Sequence, residues 1–329
     1  MIKRIFWTIS SLFLLIACEQ DHLEVDISNI EVQTRFQRFD QAFFSTDTTR
    51  FESELDSLKE KYPLFFQSGA TDRFWRFQRS DQRQLDLYQK AQDVWGDMES
   101  ANHKLNEAMK HFYYYYKQRP SIEFYTYISN LDFDYPILYA PENEVCFAAL
   151  DMYLGQNESY YSHLPAYLAF EHNPVFLVRD CIEALALHNV PPLNDQDAYS
   201  LLDAMIYHGK ILYFIEAMMP QESEEVIIQY IHEHLAFCQE NERNVWSYFI
   251  ENNLLFSKKD NDIRRFIAPA PFSKFRMKFD NQTPGRIGQW VGWQIVRNYC
   301  RNNSDVSLQE MLAETDSRKF LKLSQYKPE

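Results

Sequence analysis

Apolar residues recur every three or four positions over most of this chain and alternate with polar ones only near its middle. From residue 81 to 118, Leu85, Tyr88, Val94, Met98, Leu105, Met109 and Phe112 repeat at three, four or their multiples, which predicts one helix. That run ends in FYYYYKQRP, where Pro120 stops it. Residues 49–61 carry the same spacing. From Pro174 the pattern is helical nearly to the end, over 174–189, 195–219, 222–239, 241–256, about 285–302 and 307–314. Pro191-Pro192 and Pro220 mark breaks, and Ala268-Pro269-Ala270-Pro271 predicts a rigid extended loop.

Period two occurs in IEFYTYI (122–128), followed by the apolar runs PILYA (136–140) and EVCFAALDMYLG (144–155). Pro141-Glu142-Asn143 between the last two predicts a hairpin in a small sheet. The start of IEVQTRFQRFDQAFF (30–44) alternates well enough for a first strand. With no internal repeat or long linker, the pattern predicts a single α+β domain over 29–329, predominantly α-helical with one small sheet at about 122–155.

The first residues depart from this. MIKRIFWTISSLFLLIA begins with Lys3 and Arg4 and continues as an apolar run of about 13 residues, short of the roughly 20 that span a bilayer. Residues 1–17 therefore read as a signal peptide. Leu15-Ile16-Ala17-Cys18 resembles a bacterial lipobox, so Cys18 is the expected lipid anchor and 18–28 a polar tether. Two or more acyl chains hold a protein stably on a membrane. No later run offers 18 apolar residues, so no transmembrane helix is expected.

Composition narrows the partners. The formal net charge is −14, which repels phosphate backbones and disfavours nucleic acid. Only seven glycines against 26 Phe and 21 Tyr argue against an all-β fold. Cys146, Cys181, Cys238 and Cys300 lie far apart with no C-x-x-C pair, and read as buried thiols rather than disulfides or a zinc cluster.

Candidate chemistry is sparse. His232-Glu233-His234 puts its imidazoles at i and i+2, on different sides of a helix, and reads as a solvated face. His172 stands in a capping context before Asn173-Pro174, His188 and His208 are isolated, and Asp132 and Asp134 read as turn chemistry before Pro136. There is no G-x-S-x-G elbow and no phosphate-binding glycine loop. In FLVRDCIEALALH (176–188), Arg179, Asp180 and Glu183 take the i, i+1 and i+4 places that His, Glu and His hold in a zinc-peptidase helix. The 201–220 helix resembles in outline the downstream one that supplies a third ligand. A zincin-like order without the metal site is thus one fold hypothesis, requiring helices 174–189 and 201–219 side by side on the 122–155 sheet. An arginine at the first ligand position would repel zinc.

The most distinctive stretch is NQTPGRIGQWVGWQIVRNY (281–299), where Gly285, Gly288 and Gly292 fall within eight positions. On a helical wheel Ile287, Gly288, Val291, Gly292, Ile295, Val296 and Tyr299 share one side. Each helical glycine costs about 1 kcal/mol of propensity, which suggests close packing in return. The other side holds Arg286, Trp290, Trp293 and Arg297. Two readings stand for it: burial with the arginines paired to acids, which is favoured, or a candidate interaction face, since Trp and Arg are enriched at binding hot spots.

Several segments together resemble the gliding-motility lipoprotein B (GldB) family of Bacteroidota. They are RFDQAFF (38–44), LDMYLG (150–155), MIYHGKILYF (205–214), APFSKF (270–275), PGRIGQWVGWQIVRNY (284–299) and SLQEML (307–312), and with the lipobox they span nearly the whole chain. His208 stands where this family leads one to expect an aromatic residue. The resemblance implies an envelope lipoprotein required for gliding, linked to the gliding apparatus and type IX secretion, with no known catalytic activity. The expectations are therefore a non-enzymatic protein with no cofactor beyond the covalent lipid on Cys18. It would be held on the inner or outer membrane facing the periplasm, with envelope proteins as partners. An envelope hydrolase or peptidase, and a binder of cell-wall glycan, are the alternatives; a stoichiometric transition metal in the purified protein would favour the former.

Overall fold

A computed structural model describes residues 23, 25–193, 198–275 and 280–328. The leader expected at 1–17 and the anchor expected at Cys18 lie outside the described residues. The chain opens with β1 (Phe36–Arg38), α1 (Phe39–Phe44), α2 (Phe51–Lys61), α3 (Asp72–Ser80), α4 (Gln82–Trp95) and α5 (Glu99–Tyr115). Strands β2 (Glu123–Tyr127), β3 (Ile137–Ala140) and β4 (Val145–Ala149) follow. The rest is helical: α6 (Ala166–Ala169), α7 (Leu177–Asn189), α8 (Leu201–Met218), α9 (Glu224–Ile228), α10 (His232–Glu240), α11 (Glu242–Glu251), α12 (Asp260–Ile267), α13 (Ile287–Asn302), α14 (Leu308–Ala313) and α15 (Ser317–Ser324). The α+β, mainly helical class read from the pattern is the observed one.

The sheet runs in the order β1-β2-β4-β3, with β1, β2 and β4 parallel and β3 returning antiparallel on β4 through the expected hairpin. Alternation along β2 divides the interior. Phe124 and Thr126 are fully buried on one face, while Tyr125 and Tyr127 pack on the other against a smaller aromatic core from α1, α2 and residues 63–66. There Phe65 stacks on Phe39 at 3.7 Å between ring centroids and meets Phe147 of β4 edge-on at 5.1 Å. Leu23, inside the expected tether, is already part of the larger core at 5% exposed.

Several boundaries differ from the pattern. The expected first strand is only three residues long and gives way at once to helix α1. The expected 81–118 helix is two, broken where Gly96 and Met98 take φ of 46° and 58°. The 222–239 helix is likewise split into α9 and α10 by Gln229 at φ 56°. The run after β4 leaves the sheet as a 3-10 turn at Leu150–Met152. Helices α3, α6, α12 and α15 have no counterpart in the pattern.

Helix α7 packs on both β3/β4 and α8, whereas α8 makes its main contact with α13 on the far side. The side-by-side helix pair of the zincin-like hypothesis is present, but of the two only α7 packs extensively on the sheet. All four cysteines described are free thiols, three of them buried.

Candidate functional site

The α8–α13 crossing is built on glycine. A methyl group on Gly292 would sit 1.8 Å from the Met205 carbonyl oxygen, and one on Gly209 would sit 2.3 Å from the Gly292 carbonyl carbon. Neither helix can retreat without opening the core, so both positions exclude any side chain. Gly288 meets the Phe266 carbonyl oxygen of α12 in the same way at 2.9 Å. The close packing expected of Gly288 and Gly292 is therefore real. Gly209, the partner surface, was not singled out from the sequence, although a lone glycine inside the apolar helix MIYHGKILYF was the available signal.

The other side of α13 is buried too. Trp290 and Trp293 are 2% and 0% exposed. Trp293 donates its indole Nε1–H to Glu216 Oε2 at 2.6 Å, and Arg297 donates to the same carboxylate while its guanidinium stacks on the Trp293 ring at 3.8 Å. Arg297 also pairs with Glu224. Burial pushes the Glu216 carboxyl up, and Arg297 opposes that. As an exposed interaction face, then, Arg286, Trp290, Trp293 and Arg297 are corrected. The tryptophans belong to the core, and the arginines are consumed by acids brought from α8, α9 and the turn after α6. Of the four, only Arg286 reaches a cleft.

Arg286 precedes α13 in the left-handed region, at φ 58°. It is held there because Gly285 has no side chain to strike the Ala270 carbonyl oxygen, which a methyl would meet at 2.1 Å, and because Tyr230 donates its hydroxyl to the Gly285 carbonyl. The Arg286 Nη2 donates to the carbonyls of Gln229 at 3.1 Å and Ile228 at 3.4 Å. Its Nη1 lies 3.6 Å from Glu171, an ion pair too long for a hydrogen bond. These two charges sit in a cleft of about 510 Å³ walled by Tyr167, Phe170, Tyr230, Ile231, Pro269 and Pro271, with His234 at its side. The rigid 268–271 loop thus forms one wall.

Behind the cleft lies the cluster flagged in helix 176–188. Arg179, 2% exposed, donates through Nη1 to Asp180 at 2.9 Å and Glu183 at 2.5 Å, and through Nε to the Ile227 carbonyl at 3.0 Å. Asp180 accepts further bonds from Tyr153 at 2.8 Å and Gln229 at 3.0 Å. Gln229 therefore ties cluster to cleft, its side chain on Asp180 and its carbonyl on Arg286. The guanidinium stands between the two carboxylates where a cation would be needed. Burial raises Asp180 against the pull of Arg179. His208, on α8, feels Glu183 and Arg286, and burial lowers it to about 4.

Of the remaining candidates, His234 departs from the solvated face expected of it, being half-buried beside the cleft, and the others fall where the pattern put them or carry no site. Asp132 accepts from the Asp134 backbone at 3.2 Å, an Asx turn. His232 is exposed beside Glu225, while His172 bonds the Met152 carbonyl at 2.9 Å. Among the described residues no group of three or more His, Cys, Asp or Glu is placed to hold a metal ion, and no helix is long and apolar enough to cross a membrane.

A family model described as "Gliding motility protein GldB" matches residues 20–328. No curated protein and no solved structure matches the chain.

Proposed function

Because the chain belongs to the gliding motility protein GldB family, we propose that it is a lipid-anchored envelope protein that supports gliding by binding other proteins of that machinery, including the linked type IX secretion system. The observation that carries the proposal is the extent of the family match, which begins two residues after Cys18 and covers nearly the whole chain. Acylation of Cys18 would supply the attachment that no described helix supplies. The cleft at the head of α13 supports a binding role, being concave, mostly apolar and furnished with a few convergent polar groups.

Cys18→Ala tests this. The variant is expected to leave the membrane fraction and to abolish gliding while the body stays folded. Normal gliding by cells whose variant protein has left the membrane would overturn the proposal.

A further inference from the structure

The cleft between α6, α10 and the head of α13 has a charge asymmetry that its walls do not satisfy. Glu171 lines it with its side chain 28% exposed. Among the described residues its carboxylate accepts no hydrogen bond and has only the 3.6 Å ion pair with Arg286. Arg286 cannot turn fully towards it, because its Nη2 is held by the carbonyls of Ile228 and Gln229. Charges around Glu171 do not balance. Burial pushes the Glu171 carboxyl up, Arg286 and Arg179 oppose that and Glu183 adds to it, but Arg179 is already shared between Asp180 and Glu183. Two guanidiniums thus serve three carboxylates. Burial lowers His208 and His234, so neither adds a positive charge at neutral pH. The carboxylate that faces the opening is thus the one left without a full partner, since Asp180 and Glu183 share Arg179.

We infer that this cleft receives a basic side chain of a partner polypeptide, its ammonium or guanidinium on Glu171 and its apolar stem along Tyr167, Phe170 and Tyr230. The aromatic faces suit such a stem and add cation–π attraction; Arg286 already lies 5.9 Å above the Tyr230 ring. An incoming cation supplies the hydrogen-bond donors Glu171 lacks and neutralises the cluster. An incoming carboxylate meets Arg286 but adds a fourth acidic group to the same cluster. The net charge of −14 favours approach of a basic partner over an acidic one. The inference rests on the binding role proposed above only in taking the cation from a polypeptide; the charge selectivity stands without it.

Calorimetric titration of the purified full-length protein at neutral pH with hexylammonium and with hexanoate separates the two signs of charge on alkyl stems that differ by one methylene. Saturable hexylammonium binding is expected by about 20 mM, as suits a seven-heavy-atom ligand, with hexanoate at least tenfold weaker. Glu171→Gln, which keeps the shape, is expected to lower hexylammonium affinity tenfold or more. Equal binding of the two probes, no saturable binding of hexylammonium, or binding unmoved by Glu171→Gln in a folded variant would each overturn the inference. The probe comparison on the unaltered protein decides it even if the variant does not fold. Failure here leaves the anchored, protein-binding role standing, and normal gliding by Cys18→Ala leaves this charge selectivity standing.

Discussion

At the scale of the residue, several of the segments that carry the family resemblance hold a side chain, or lack one, where separate parts of the chain meet. Asp40 of RFDQAFF is 1% exposed and accepts from Arg38, Thr126 of β2 at 2.6 Å and Gln92 of α4 at 3.1 Å. Asp151 of LDMYLG accepts the backbone N–H groups of Ser129 at 2.8 Å and Leu131 at 2.7 Å, fixing a loop in which Asn130 and Leu131 both have positive φ. Ser307 and Glu310 of SLQEML form a reciprocal capping box on α14, and Lys210 of MIYHGKILYF donates to the Leu312 and Glu314 carbonyls at its other end. Such roles were only partly legible. The capping box has a local signature, whereas an aspartate that bonds residues 86 positions away has none. His208 gives a test at this scale. Its folded pKa is lowered to about 4 from 6.5, so the unfolded chain binds the extra proton between those values. Its contribution is whole above pH 6.5 and is lost as pH falls towards 4. His208→Phe is expected to remove about 2 kcal/mol of that acid destabilisation, seen as a smaller fall in Tm from pH 7 to 4.5 than in the unaltered protein. Asp180, whose pKa burial raises, has the opposite sign in this window and is common to both proteins. Parallel Tm curves would refute the assignment.

At the scale of the element, the α8–α13 crossing is the joint on which the helical half is assembled. Gly292→Ala puts a methyl inside the Met205 carbonyl, so α13 must shift as a unit. A loss of about 3 kcal/mol or more is expected by urea unfolding, at the upper end for overpacking. Gly288→Ala meets the flexible Ile267 side chain as well as backbone, and should cost less. Equal, small losses at both positions would show that the helices are not held at this distance. The wheel of 286–300 made the glycine stripe legible because helix geometry fixes which residues share a side. It could not tell that both sides are covered, because a helix buried all round and one offering an aromatic strip share the same letters. The deciding acid, Glu216, lies on α8, far away in sequence. The break at Gln229 was hidden for another reason: a left-handed non-glycine residue gives no compositional sign, whereas the break before Met98 did carry one in Gly96, which the helical spacing on either side masked.

At the scale of the whole molecule, one four-stranded sheet divides two unequal cores, and the cleft lies on the helical side of the larger one. The α+β class was legible because alternation in 122–128 and helical spacing after Pro174 are both long enough to read. The parallel pairing of β1 with β2 was not, since partners 88 positions apart leave no mark in either strand's own pattern. The cleft was less legible still. Its prolines were recognised as a loop and Arg286 as notable, but Glu171, Gln229 and Tyr230 were not among the candidates, because pockets are assembled from segments with no common period.

Leu23, docked in the larger core, has a consequence for how the protein would stand on its membrane. It lies five positions after Cys18, and five residues reach at most about 18 Å even when fully drawn out. A lipid on Cys18 would therefore act as a short leash. It would fix which way up the body rides and how far from the bilayer its cleft can travel, so that a partner embedded in or tethered to the same membrane meets it in one orientation. Inserting a 15-residue Gly/Ser spacer, with an r.m.s. span of about 20 Å, between Gln20 and Asp21 should leave the protein membrane-bound but impair gliding. Unimpaired gliding with that spacer would show that posture does not matter.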